Sequence, residues 1–93
     1  MLNTDEELEA GLGSIGKLRI MRALARRKDE AYTKYALERA TGLKPVDMRN
    51  DLKTLTQINW VKEYPYRPKK YRINTDNPTV SHLTDFFIKA RYV

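Results

Sequence analysis

Residues 33–58, Thr33-Lys34-Tyr35-Ala36-Leu37-Glu38-Arg39-Ala40-Thr41-Gly42-Leu43-Lys44-Pro45-Val46-Asp47-Met48-Arg49-Asn50-Asp51-Leu52-Lys53-Thr54-Leu55-Thr56-Gln57-Ile58, carry the pattern that decides the fold. Thr33 is placed to cap a helix through Ala40, with Ala36, Leu37 and Ala40 as its core positions. Gly42 suits the left-handed position that ends a helix, and Leu43 can plug the turn behind it. Pro45 then falls in the first turn of the next helix, where a missing amide costs nothing. That helix is predicted to run to about Ile58, because Met48, Leu52, Leu55 and Ile58 are spaced 4, 3 and 3 and form one apolar stripe. Asn59 stands in for a terminating glycine, since Asn tolerates positive φ better than most residues. A helix, a tight turn around a glycine and a second helix make a helix-turn-helix pattern.

Downstream, Trp60-Val61-Lys62-Glu63-Tyr64 reads as a strand and Lys70-Tyr71-Arg72-Ile73-Asn74 as its return. Pro65-Tyr66-Arg67-Pro68-Lys69 joins them; prolines cannot donate in a ladder and belong at a hairpin tip or edge. Tyr71 and Ile73 alternate with Arg72, which turns that pair toward the core, and Trp60 is expected there too. Asn77 caps a last helix that Pro78 opens, with Val80, Leu83, Phe87 and Ala90 on one face. Phe86 and Ile88 lie outside that stripe and leave apolar surface to spare.

Upstream, Ala31-Tyr32 is a short extended stretch, and Ser14 opens a helix reaching Lys28. Leu18, Met21, Leu24 and Ala25 form its core stripe, while Arg19, Arg22 and Arg26 line up on another face at i, i+3 and i+7. Thr4-Asp5-Glu6-Glu7 fits a capping box in which Thr4 caps a short helix and Glu7 reaches back to it. Leu8 and Leu12 would share one side of that helix, with Gly11 and Gly13 ending it.

Charge and composition narrow the function. The 93 residues carry 18 Lys and Arg against 12 Asp and Glu, a net charge of +6. Residues 1–13 hold four acids and no base, so the other eighty residues carry 18 bases against eight acids, or +10. Such asymmetry points to a polyanionic partner for the body, nucleic acid above all, with a merely solvated basic surface as the plain alternative. With no Cys and one His, a disulfide framework, a thiolate metal site and a cysteine nucleophile are excluded, and no metal or other cofactor is expected. No nucleophile–base set or Gly-rich phosphate loop stands out, so the chain reads as a non-enzyme. No apolar run approaches a membrane span and the start is acidic rather than signal-like, which makes a cytoplasmic, or nucleoid-associated, protein the expectation.

The element order, helix, short strand, helix, helix, strand, strand, helix, resembles a winged helix-turn-helix domain. The residues that carry the resemblance are Leu12-Gly13-Ser14, Glu38-Arg39-Ala40-Thr41-Gly42-Leu43, and Met48…Leu52…Leu55…Ile58-Asn59-Trp60-Val61 running into the hairpin. They are similar to small archaeal DNA-binding regulators of the ArsR/MarR-like type. The resemblance covers about residues 12–77 and departs from metal-sensing members, which metal regulation would require to hold more ligands than one His. It implies an α+β, mostly helical fold. The expected organisation is an acidic segment or short helix over 1–13, a winged helix-turn-helix domain over 14–77 and a C-terminal helix over 78–93. It also implies that the 45–58 helix enters the major groove while the hairpin, as a wing, touches the DNA backbone or minor groove.

The side chains suit that reading. Val46, Asn50, Lys53 and Gln57 lie opposite the core stripe, with Arg49 beside them. Asn and Gln pair bidentately with adenine, Arg with guanine and Lys with phosphate, while Val46 can meet a thymine methyl. Asp47 and Asp51 oppose the reading, although their spacing puts both on one flank. In the wing, Arg67, Lys69, Lys70 and Arg72 fall within six residues with no acid among them. Four such cations could release about four condensed counterions; the alternative is a charged edge that blocks sheet-to-sheet aggregation. Arg19, Arg22 and Arg26 form either a solvated face or a stripe for phosphate or an acidic partner. Leu83, Phe86, Phe87 and Ile88 are candidates for a homodimer or partner interface. His82 has no evident partner and reads as structural or exposed. Two functions follow: a double-stranded DNA-binding transcriptional regulator or chromatin-associated protein, or a winged-helix adaptor whose basic surface meets an acidic segment of a larger complex.

Overall fold

The computed structural model describes residues 3–93, so residues 1 and 2 of the acidic 1–13 segment lie outside the described residues. Five helices and three strands follow in the order α1 (Thr4–Leu12), α2 (Ile15–Arg26), β1 (Tyr32–Thr33), α3 (Lys34–Thr41), α4 (Pro45–Gln57), β2 (Val61–Tyr64), β3 (Lys70–Ile73) and α5 (Pro78–Lys89). The architecture is α+β and mostly helical.

Local chemistry sets most of the boundaries. Ser14, Thr33 and Asn77 each accept a backbone amide from the first turn of α2, α3 and α5, filling donors that the helix leaves open. Pro45 and Pro78 sit in the first turns of α4 and α5. Gly42 takes φ +75° beyond α3, and Thr41 Oγ1 knots the turn by donating to the Leu37 carbonyl and accepting from the Leu43 amide. Asn59 adopts φ +69° after α4. The N-terminal box is shifted by one residue from the expected one. Asn3, not Thr4, caps α1, its side chain accepting from the Glu6 amide at 2.8 Å while Glu6 reaches back. The α2 helix also stops at Arg26 rather than Lys28, and Gly11 lies within α1 instead of ending it.

The strands form one antiparallel sheet in the order β1-β3-β2. Tyr32 pairs with Tyr71 and Thr33 with Lys70 on one side of β3, and Val61–Tyr64 pairs with Ile73–Lys70 on the other. Against this sheet lie Ile20, Met21 and Leu24 of α2, Leu37 of α3, Met48, Leu52 and Leu55 of α4, and Val80 and Phe87 of α5. Each fully buried apolar side chain of this kind contributes roughly 1.5–3 kcal/mol. Ile20 rather than Leu18 occupies the centre of the α2 stripe; Leu18 is only half-buried. Trp60 is fully buried: Gly11 of α1 lies so close to its ring that a Cβ there would collide with it, and its Nε1 donates to Glu7 at 2.6 Å. The acidic N-terminal helix is thereby fastened to the residue that immediately precedes β2. A second knot sits below the hairpin, where the buried Asn74 donates through Nδ2 to the Asn59 carbonyl at 2.7 Å and Asn77 donates to the same oxygen.

Candidate nucleic-acid interface

The α4 helix buries Met48, Leu52 and Leu55, and this turns Val46, Asn50, Lys53 and Gln57 outward with Arg49 beside them. Thirteen residues give the helix a length of about 20 Å. Of its two acids, Asp51 faces α2: a Cβ on Gly16 would meet its carboxylate. Burial pushes the Asp51 carboxyl above its ordinary range, with Asp47 adding to the rise and Lys17 opposing it. One of the two carboxylates that oppose a phosphate-facing helix thus occupies the α2–α4 junction, while Asp47 remains exposed.

Beside α4 the hairpin closes a cavity of about 220 Å³. Lys34, Arg49, Lys53, Gln57 and Lys69 line it together with Glu63, and Leu52, Thr56 and Tyr71 complete it. Four cations against one carboxylate leave this concavity strongly positive, the arrangement that concentrates anions from solution. Thr56 Oγ1 is buried there with no hydrogen-bond partner in the protein. Glu63 organises the wall. It accepts from Tyr71 Oη at 3.0 Å and draws Lys69 Nζ to 3.7 Å. The Tyr71 phenol is pushed up to about 12, first by burial and then by this contact with Glu63.

Four of the residues singled out in the sequence therefore converge: Arg49, Lys53 and Gln57 from α4, and Lys69 from the wing. Val46 and Asn50 are exposed on the same helix but do not line the cavity. Arg67 and Lys70 are exposed on the hairpin, with Lys70 Nζ 5.9 Å from the centre of the Tyr66 ring, itself stacked on Tyr64. Arg72 stands apart from these residues. Cross-strand from Lys62 and half-buried, it lines a different concavity with Asp29, Ala31, Tyr64 and Tyr66, while its neighbour Tyr71 points toward α4. Alternation along β3 sends Arg72 to the face away from α4.

Lys34 was not singled out in the sequence. Its position follows from strand pairing: Thr33 lies opposite Lys70, which brings the start of α3 next to Lys69. No linear spacing links residues 34, 53 and 69; the only available signal was that a helix opening directly from a sheet-edge strand must start beside that strand's partner.

In α5, Phe87 is 2% exposed and packs in the core, and Leu83 lies half-buried against the same cluster. Phe86 and Ile88 are 63% and 59% exposed. His82 is exposed. Among the described residues no group of three His, Cys, Asp or Glu is placed to hold a metal ion, and no helix is long and apolar enough to cross a membrane.

No protein-family model matches the chain, and no curated protein matches it. A solved structure does. The crystal structure of the transcriptional repressor BigR from Xylella fastidiosa superposes with a TM-score of 0.74 at 15% sequence identity, covering 90% of this chain and 82% of that one. The likeness shows the fold, a winged helix in which α3 and α4 are the helix-turn-helix pair and β2–β3 the wing.

Proposed function

We propose that the chain binds double-stranded DNA, with α4 in the major groove and the wing on the backbone, as a transcriptional regulator or chromatin-associated protein. The observation that carries this reading is the cavity between α4 and the wing, where Lys34, Arg49, Lys53 and Lys69 meet although they are far apart in sequence. Cations gathered from three elements onto one concave face suit a row of phosphates, and Asn50 and Gln57 on the exposed side of α4 supply bidentate amides for base edges. The shared fold with a transcriptional repressor agrees with this reading. Residues 14–77 carry the contacts, and the exposed Phe86 and Ile88 in residues 78–93 pair two copies, so that two α4 helices meet successive half-sites.

The test is fluorescence anisotropy of a labelled duplex of about 30 base pairs at two salt concentrations. Binding whose logarithm falls with log salt by about 0.9 per phosphate contacted is the expected result. Absence of binding at low salt removes the reading.

A further inference from the structure

We propose that a second basic surface, the groove between α2 and α3, docks an acidic amphipathic segment of a partner protein. Two cavities adjoin there. Arg19, Arg22, Ala23, Arg26, Ala40 and Thr41 line one of about 240 Å³. Tyr32, Leu37 and Arg27 join Ala23, Arg26 and Ala40 around the other, of about 250 Å³. Three shared residues make the two cavities one groove, and none of its lining residues belongs to the cavity between α4 and the wing. The groove exists because α2 and α3 present alanines, Ala23 and Ala40, where larger side chains would fill the space.

Its chemistry is selective. The core stripe of α2 turns Ile20, Met21, Leu24 and Ala25 inward, which puts Arg19, Arg22 and Arg26 on the opposite face. Among the described residues no carboxylate lies within 4.0 Å of these three arginines, whereas Arg27 is occupied by Glu30 at 3.6 Å. Like charges on successive helical turns repel, and a bound carboxylate relieves that repulsion. Arg22 is already positioned: its guanidinium lies 4.6 Å from the centre of the Tyr92 ring, which packs edge-on against Phe87. Its Nε is buried without a hydrogen-bond partner.

The rise from Arg19 to Arg22 and on to Arg26 is about 4.5 and 6 Å along the axis, the spacing of carboxylates on successive turns of a helical peptide. Arginine forks suit carboxylates, and the apolar floor of Leu37, Ala23, Ala40 and Tyr32 gives aliphatic or aromatic side chains a place to enter. A sugar–phosphate backbone has nothing to put in that floor. This surface stands independently of the DNA reading.

The experiment titrates the whole protein against a labelled helical peptide of about four turns, with Glu at spacings of three and four and Leu and Phe beside them. Binding should weaken about tenfold or more in the double variant Arg19→Glu/Arg26→Glu and in Ala40→Glu, which places a carboxylate inside the groove. It should be unchanged in Lys53→Ala/Lys69→Ala. Amide shifts in the NMR spectrum should move at Ala23, Arg26, Ala40 and Thr41. All three substituted groove positions are exposed, and circular dichroism checks that each variant is folded. Failure of the peptide to bind, or equal binding by a peptide with Ser in place of Leu and Phe, overturns the proposal. So does a result in which Arg19→Glu/Arg26→Glu weakens a DNA duplex as much as it weakens the peptide, since the groove would then belong to the DNA surface.

Discussion

The two basic faces of this molecule are built in opposite ways. The face on α2 is local: Arg19, Arg22 and Arg26 come from one helix, held apart by its geometry, with no acid in reach among the described residues. The face beside the wing is assembled from three elements and contains its own carboxylate, Glu63, against Lys69. An exposed row of like charges gains from any anion that arrives. An assembled face with an internal acid has its cations positioned in advance and gives up some attraction to do so, because a phosphate must compete with Glu63 for Lys69. The first construction favours avidity for carboxylates, and the second favours a defined geometry.

The largest effect should separate the faces outright. Replacing Lys34, Lys53 and Lys69 together with alanine is expected to weaken duplex binding about 10- to 100-fold at low salt and to flatten the salt slope by about 2 to 3, since each phosphate contact contributes about 0.9. The Arg19→Glu/Arg26→Glu variant should retain duplex binding within about threefold, an exposed charge off the interface acting mainly by weak, screened steering. Anisotropy on the same duplex measures both, and equal losses would merge the two faces into one. A smaller and opposite effect is expected from Glu63→Gln. Surface ion pairs are worth about 0.2–1 kcal/mol, so releasing Lys69 should tighten duplex binding about 1.5- to 5-fold and leave the α2 groove unaffected.

The local face was readable in the sequence and the assembled one only in part, for a physical reason. Helical period alone puts Arg19, Arg22 and Arg26 on one side, just as it puts Met48, Leu52 and Leu55 on the other side of α4 from Lys53. The turn at Thr41-Gly42-Leu43, the positive φ of Asn59, the caps at Ser14, Thr33 and Asn77 and the burial of Trp60, Tyr71 and Ile73 were legible in the same way, from chemistry within a few residues. Lys34 was not, because its meeting with Lys69 depends on β1 pairing with β3 across almost forty positions. The alternation of Tyr71 and Ile73 with Arg72 was legible from the period of two, but not that Arg72 would face Asp29 and Tyr64 rather than α4, because that depends on how the sheet packs. Glu63 was noted only as part of a strand, since nothing in the sequence shows that it stands opposite Tyr71 and beside Lys69.

The smallest effect should be confined to the wing face and follows from the same carboxylate. Tyr71 is 2% exposed, its hydroxyl donates to Glu63, and its pKa is raised to about 12 from 10.0. The folded state therefore holds this proton more tightly than the unfolded chain does. Below pH 10 the phenol is neutral in both states and its contribution is fully present. Between pH 10 and 12 the unfolded chain has released the proton while the fold retains it, so unfolding becomes progressively easier as pH rises. The loss should reach on the order of 1–2 kcal/mol by pH 12. Tyr71→Phe removes the hydroxyl, which costs about 1 kcal/mol near neutrality through the lost bond to Glu63, but it also removes the titration. Urea unfolding of the two proteins at pH 7 and at intervals above pH 10 should show the gap between them closing as pH climbs. A gap that stays constant would mean that Tyr71 titrates alike in both states and that Glu63 does not set the chemistry of this wall.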